Sequence, residues 1–414
     1  MSFEKTNTLQ ISYCHDKKTI NLGRLAFINR KIAFEYSQDF LQLGLEISPF
    51  KLPLKTGVSI CEDRIFEGLF GVFNDSLPDG WGRLLLDRKL LNLGINPNII
   101  TPIDRLRYVG THGMGALQYQ PEILASSMNE KKIELDTIAE ECLEFQMNEN
   151  KEFVDELLIM NGSSAGARPK ILVSIDEKTN LFQISDNNLL HAHNDWIVKF
   201  RSSIDPQDIG SIEYAYHLMA KAAGIDLPEA KIFKSRKTSG FFGVKRFDRT
   251  KDNFLHVHTL SGLLHADHRI PSLDYESVMK ATTILTKNVN EIEKQFRNAV
   301  FNVFSHNRDD HAKNFSFIMD GKGIWKVSPA YDLTFSSGPQ GEHCTTIMGN
   351  GRNPGTQDLL KLAVIAKIDK SKAHLIINEV KEAVLKWIEF ATQANVSNLS
   401  SKNISSALTI GLKG

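Results

Sequence analysis

The segment HNRDDHAKNFSFI sets Asp309 and Asn314 five positions apart. Phosphoryl transfer needs a carboxylate to accept the proton of an attacking hydroxyl and a neutral oxygen to ligate magnesium, both held beside a γ-phosphate. Asp309 and Asn314 are residues of those two kinds. Eighteen positions beyond Asn314, Asp332 follows a proline-led turn in VSPAYDL and is a second candidate magnesium ligand. Aspartate and asparagine are also favoured turn residues, so a solvated polar loop with a capped helix uses the same letters. Within the segment, His311 is a candidate for orienting the loop or assisting phosphate binding, with a structural histidine as the alternative. Lys313 could offset charge on the transferring group, solvent exposure being the alternative.

Two earlier stretches bear on the same chemistry. In NGSSAGARPK the small residues Ser163, Ser164, Ala165 and Gly166 let the backbone approach a phosphate closely, and successive amides can form an anion-binding concavity. An ordinary loop has the same composition, and the segment is neither a Walker A nor a G-x-G-x-x-G sequence. Lys199 lies within the apolar strand-like run WIVKF, where an unpaired ammonium would be costly. A partner is therefore expected, either phosphate or Glu213, unless the lysine snorkels from a strand end. Loop, strand lysine, helix glutamate, Asp309–Asn314 segment and Asp332 stand in the order that protein kinases use, although Tyr-Asp-Leu replaces Asp-Phe-Gly.

These residues need elements to position them. Short strands are expected at Leu9–Tyr13, Leu25–Asn29 and Ile32–Tyr36, and a turn at Pro78–Gly82 feeds a helix over Arg83–Leu91. Residues 126–151 are polar and Glu-rich, with helical spacing only around Ile138, Leu143 and Phe145, and read as a connection between units. Strands follow at Ile171–Ile175, Leu181–Ser185, Trp196–Phe200, Ala230–Phe233 and Phe241–Phe247, with a helix over Ser211–Ala223. Beyond residue 270, apolar positions three and four apart predict helices at 274–287, 290–304, 358–366 and 371–391, hence an all-helical lobe. The poorly periodic stretch 307–353 is long for a connection and reads as functional. The closing SNLSSKNISS reads as loosely ordered. The division that results is 1–125, 126–247 and 248–414.

At 414 residues the chain can bury a sizeable core. Its 42% hydrophobic and 24% charged content excludes disordered, collagen-like and disulfide-scaffold classes. Lys plus Arg equals Asp plus Glu at 49 each, so no global field draws it to nucleic acid or an anionic membrane. Cys14, Cys61, Cys142 and Cys344 are scattered and read as packing residues of a reducing compartment. The N-terminus lacks a signal peptide's features and no run is long enough to span a bilayer, so a cytoplasmic, soluble protein with no membrane partner is expected. His256, His258, His265 and His268 have metal-like spacings, as do His191 and His193. No cysteine or H-E-x-x-H arrangement completes a set, so a structural role is favoured. Arg83, Arg88, Arg105 and Arg107 read as solvated basic spots.

Taken together, FNDSLPDGWGR, GSSAGARPK, IVKF, VKRFDR, DDHAKNFS and PAYDL resemble the HipA family of bacterial toxin serine/threonine kinases over nearly the whole chain. The resemblance implies an α+β, kinase-like two-lobed fold with an extra N-terminal α/β subdomain and an all-helical C-terminal lobe. It implies ATP and Mg2+ as cofactors, Asp309 as catalytic base, Asn314 and Asp332 as metal ligands, Lys199 on the phosphates, and the backbone of Lys245 and Phe247 on the adenine. It further implies self-phosphorylation at Ser163, with adjacent Ser164 as second choice, which would eject the loop from a phosphate site by like-charge repulsion. Arg168 and Pro169 depart from the family's more polar pair. The implied partners are a helix-turn-helix, HipB-like antitoxin, DNA only indirectly through it, and a protein substrate such as an aminoacyl-tRNA synthetase. Two other readings stay open: a catalytically weak, nucleotide-responsive co-repressor holding an antitoxin on its operator, and a small-molecule kinase.

Overall fold

The computed structural model describes residues 5–15, 18–123, 133–147, 153–164, 166–175, 182–184, 194–250 and 253–412. Ala165, His191 and His193 lie outside them.

The N-terminal region is an antiparallel sheet of β1 (Thr8–His15), β2 (Lys18–Ile28), β3 (Lys31–Tyr36), β4 (Val58–Ile60) and β5 (Leu117–Gln120), in the order β4-β3-β2-β1-β5. Period-two alternation in β1 sends Leu9, Ile11 and Tyr13 to the core while Gln10 and Ser12 face the other way. Asn29 and Arg30 both take positive φ (49° and 62°) in the two-residue link between β2 and β3, the conformation that a tight hairpin requires.

A second antiparallel sheet contains β6 (Lys170–Ile175), β7 (Phe182–Ile184), β8 (Asp195–Lys199), β9 (Ala230–Phe233) and β10 (Phe241–Lys245), ordered β7-β6-β8-β10-β9. Strand β6 is buried along its whole length, including Lys170 and Ser174 at either side of its apolar Ile171–Val173. It shares a core with helix Gly80–Asn92, through Trp81, Leu85, Leu86 and Leu90, and with helices Leu135–Met147 and Val154–Asn161. The stretch read as a connection therefore contains a core helix, with Leu135, Ile138, Cys142 and Phe145 buried. Its polar outer face masked the apolar one.

The remainder is mostly helical but not all-helical, a correction to the expectation. Strands β11 (His256–Thr259), β12 (Leu273–Asp274), β13 (Ser316–Met319), β14 (Trp325–Val327) and β15 (Thr345–Thr346) form a three-stranded sheet, β11-β13-β14, and a parallel pair of β12 with β15. Strands of two to four residues carry too few positions for a periodic signal. Around them pack helices Tyr275–Thr286, Val289–Phe304, Thr356–Ile365, Lys370–Leu385, Trp387–Gln393 and Asn398–Gly411. The segment expected as one helix over 371–391 breaks at Lys386, and the closing Ser/Asn-rich stretch is a helix. Ser397 caps that helix by accepting from Ser400 N at 3.2 Å, while Asp208 accepts from Ser397 N at 2.8 Å. One continuous apolar core joins the first sheet to these helices. No helix among the described residues is long and apolar enough to cross a membrane.

Candidate active site

The cleft that collects the motifs encloses about 1480 Å³, counting its solvent-open part. Its walls come from Ser163, Ser164 and Gly166 of the small-residue loop, β8, β10, helix Ile209–Ala222, the His311–Asn314 segment and Ala330–Leu333. Its apolar lining includes Ile197, Leu227, Phe242, Val244 and Leu333. Beside the Phe242 ring, 5.7 Å from its centroid, Lys199 Nζ, on the last position of β8, donates to Glu213 Oε1 at 3.1 Å and is paired with Asp332. Glu213 is buried in helix Ile209–Ala222 and also receives Arg168 at 3.0 Å. Burial opposes charge on Lys199, but Asp332 and Glu213 raise its proton affinity above the ordinary lysine value. Burial likewise opposes ionisation of Asp332, yet Lys199 and Lys170 hold its carboxyl well below the usual range. Asp332 takes a left-handed backbone (φ 56°), which aspartate tolerates better than most residues.

Asn314 Nδ2 donates to the Asp309 carbonyl at 2.7 Å and closes the loop between them, leaving its amide oxygen outside that bond. Asn314, His311 and Lys313 line the cleft; Asp309 is not among its lining residues, and its carboxylate lies 4.0 Å from His311 Nε2, exposed over about half its surface (57%). Desolvation by the surrounding loop, with Asp332 and Asp310 nearby, raises the Asp309 carboxyl pKa, although His311 lowers it. The next residue, Asp310, is wholly buried. It meets His343 Nδ1 at 2.8 Å, Tyr275 OH at 3.0 Å and Thr345 N at 3.3 Å, an anchor beneath the loop that motif reading passed over. Tyr331 donates to the Lys313 carbonyl at 2.6 Å and stacks on Phe247.

In the small-residue loop, Ser163 and Ser164 line the cleft wall but are almost fully buried, at 1% and 2% exposure. Ser163 Oγ accepts from Met114 N at 2.9 Å, and Ser164 Oγ donates to the Asn161 carbonyl at 3.0 Å. The Gly166 amide donates to Asp79. Lys170, unremarked in the motif reading, opens β6 directly opposite Lys199 and lines the same cleft. The Lys245 amide is already donated to the Glu229 carbonyl at 2.8 Å, so only its carbonyl remains for a base. In VKRFDR, Asp248 pairs with Arg246 and Arg249 in a buried knot. It also accepts from Gly115 N at 2.7 Å, which fixes the segment whose Met114 holds Ser163.

A third residue that motif reading missed is Asp79. Besides Gly166 it holds Lys313 Nζ at 2.7 Å; burial opposes its ionisation, but Lys313 keeps its carboxyl at about 2. His258 Nδ1 lies 2.6 Å from Asp75, His256 Nε2 lies 2.8 Å from the Ile47 carbonyl, and His265 accepts from Gly71 N at 3.0 Å. Three of the four clustered histidines thus bond to the N-terminal region. Arg83 pairs with Asp87 and Arg105 with Glu67, while Arg88 packs over Phe145.

Residues 17–120 match the HipA N-terminal domain and residues 162–388 match the HipA-like C-terminal domain. The chain belongs to the HipA family. It is 28% identical over 206 residues to the candidate kinase Y4dM of Sinorhizobium fredii, an alignment covering 46% of this chain and 49% of that protein. The chain thus matches about half the length of this curated relative. Its fold is similar to a chain of the Shewanella oneidensis MR-1 toxin–antitoxin complex of HipA, HipB and operator DNA. That likeness has a TM-score of 0.70 at 18% identity and covers 98% of this chain and 96% of that one. Asp309, Asn314, Asp332, Lys199 and both loop serines fall in the HipA-like C-terminal match, whereas Asp75 and Asp79 fall in the HipA N-terminal match.

Proposed function

We propose that this HipA-family chain is an ATP- and magnesium-dependent serine/threonine protein kinase acting as the toxin of a toxin–antitoxin module. The observation that carries the reading is the convergence of Asp332, Asn314 and Lys199 on one cleft, with the Asp309 carboxylate 4.0 Å from His311 of its lining. The donors fit the cofactors. A carboxylate held ionised and an amide oxygen suit a hard divalent cation, and two buried lysines beside a loop of small residues suit phosphates. Bound Mg-ATP would supply the transferable phosphoryl group and neutralise its charge.

In this reading Asn314 and Asp332 hold the cation, Lys199 and Lys170 hold phosphate oxygens, and Asp309 receives the acceptor hydroxyl's proton. The apolar lining takes the adenine against the Lys245 carbonyl and Phe247. Catalysis is then positioning plus charge neutralisation. Ser163, with Ser164 as second choice, is the self-phosphorylation site. Both are buried in the closed loop, so a phosphate on either requires the loop to leave the cleft. The Shewanella complex supports a helix-turn-helix antitoxin as partner, with DNA reached through it. The substrate is a bacterial protein, such as an aminoacyl-tRNA synthetase.

The test is intact-mass and peptide mass spectrometry before and after incubation with Mg-ATP, beside Asp309→Ala. One added phosphate at Ser163 or Ser164 in the wild type alone is expected. Transfer that persists undiminished in Asp309→Ala refutes the assignment of the base. No transfer, despite ATP binding and no phosphate already present, favours the co-repressor reading.

A further inference from the structure

Three consecutive residues of the N-terminal region grip the small-residue loop at Gly166. Asp79 accepts the Gly166 amide, and the Trp81 amide donates to the Gly166 carbonyl at 3.0 Å. Between them Gly80 (φ 43°) leaves no room for a side chain, since a Cβ there would stand 2.6 Å from the Gly166 carbonyl oxygen and 2.7 Å from Ala167 Cα. The grip has a firm base, because Trp81 is buried edge-on against Phe145 at 5.3 Å.

The other Asp79 oxygen receives Lys313 Nζ at 2.7 Å, and His268 Nε2 lies 3.6 Å from that oxygen. One carboxylate therefore ties the loop over the cleft to the segment that carries Asp309 and Asn314, and it belongs to neither. Asp79 stands at the N-cap position of helix Gly80–Asn92 yet makes no side-chain cap bond. Aspartate at an N-cap ordinarily turns its carboxylate back on the helix amides; this one is spent across the cleft instead.

We propose that Asp79 is a positioning residue that latches the small-residue loop shut and sets the Lys313 ammonium, so that the N-terminal region completes the transferase site. Its catalytic consequence rests on the kinase reading; the latch itself does not. With the latch closed Ser163 and Ser164 are buried, so the same carboxylate governs how readily the loop opens for modification.

The latch is tested on the full chain without nucleotide, by hydrogen–deuterium exchange of wild type, Asp79→Asn, Lys313→Gln and the double variant. Asp79→Asn should speed exchange of peptides over 160–170 and 306–316 roughly tenfold or more, the effect of losing a charged hydrogen bond. Lys313→Gln should loosen 160–170 although Lys313 does not touch that loop, and the double variant should add little to either. Unchanged loop exchange in Asp79→Asn overturns the proposal, as does an equal loss of protection in distant helix Lys370–Leu385, which would make Asp79 a general folding residue. If Asp79→Asn does not fold, Lys313→Gln decides alone. Under the kinase reading, Asp79→Asn also raises KM for ATP more than it lowers kcat. Loosened exchange with no transferase activity in the wild type would leave the latch standing and the kinase reading refuted.

Discussion

Lys170 and Lys199 stand directly opposite each other on neighbouring antiparallel strands β6 and β8. Like charges in that register repel. Asp332 lies against both and Glu213 against Lys199, so two ammonium groups and two carboxylates form one cluster in the cleft, buried except at Asp332, whose side chain is a third exposed. Burial and the neighbouring Lys199 lower the Lys170 pKa while Asp332 resists, so Lys170 is the weaker base of the pair.

Removing Lys199 should therefore cost stability as well as ligand binding. Lys199→Ala leaves Glu213 with Arg168 but takes the direct partner from Asp332. Losing one member of a fully buried ion pair typically costs about 3–5 kcal/mol, and solvent at the partly exposed Asp332 side chain lowers that figure. Urea unfolding should show a loss of that order, and calorimetry should show weakened ATP binding. Wild-type stability in the variant would contradict the cluster's role.

Asp309 has no such structural load, because its carboxylate is half exposed and makes no close ion pair. Asp309→Asn should lower phosphotransfer by about 10²–10⁴-fold, the usual contribution of a general base, with unfolding and ATP affinity unchanged. Phosphate transfer to a protein acceptor and ATP calorimetry check both halves.

Asp248 is the opposite case. Asp248→Asn leaves Arg246 and Arg249, both fully buried, without their shared counter-charge and frees Gly115. A loss of about 3–5 kcal/mol in unfolding free energy is expected. Faster proteolysis should appear around Met114, whose amide holds Ser163. A near-neutral substitution would show that the knot contributes little.

Acidification should destabilise the fold. Burial, helped by His258, keeps His256 neutral down to about 3, whereas an unfolded histidine titrates near 6.5. Between those values the unfolded chain binds the extra proton, so this stabilisation is complete above about pH 6.5 and shrinks as pH falls toward 3. Each such proton contributes about 1.4 kcal/mol per pH unit in that window. His217, His268 and His306, lowered by burial to about 4, act in the same direction. Urea curves from pH 7 to 4 should show falling stability, and His256→Gln should flatten the slope by about one proton; an unaltered slope would contradict the assignment.

Long periodic segments were legible in advance. The strands carrying Leu9, Ile11 and Tyr13, the run Ile171–Ile175 and the helix carrying Glu213 lie where apolar spacing puts them. Helix Leu135–Met147 showed only as helical spacing around Ile138, Leu143 and Phe145, and helix Asn398–Gly411 did not show, because the first hides its buried positions among glutamates and the second depends on a Ser397 cap and on Asp208 from a distant helix start. Strands β11 to β15 are too short to announce themselves.

The same division runs through the site. Spacing along the chain determines Asp309, Asn314, Asp332 and the lysine in WIVKF as candidates, since a motif is a local arrangement of residue types. Tertiary structure alone decided that Lys170 faces Lys199, that Asp310 anchors the loop beneath Asp309, and that Asp79 reaches both Gly166 and Lys313. Each is a pairing between segments far apart in the chain. An isolated aspartate or lysine is chemically ordinary until the fold removes water from it and brings its partner within hydrogen-bonding distance.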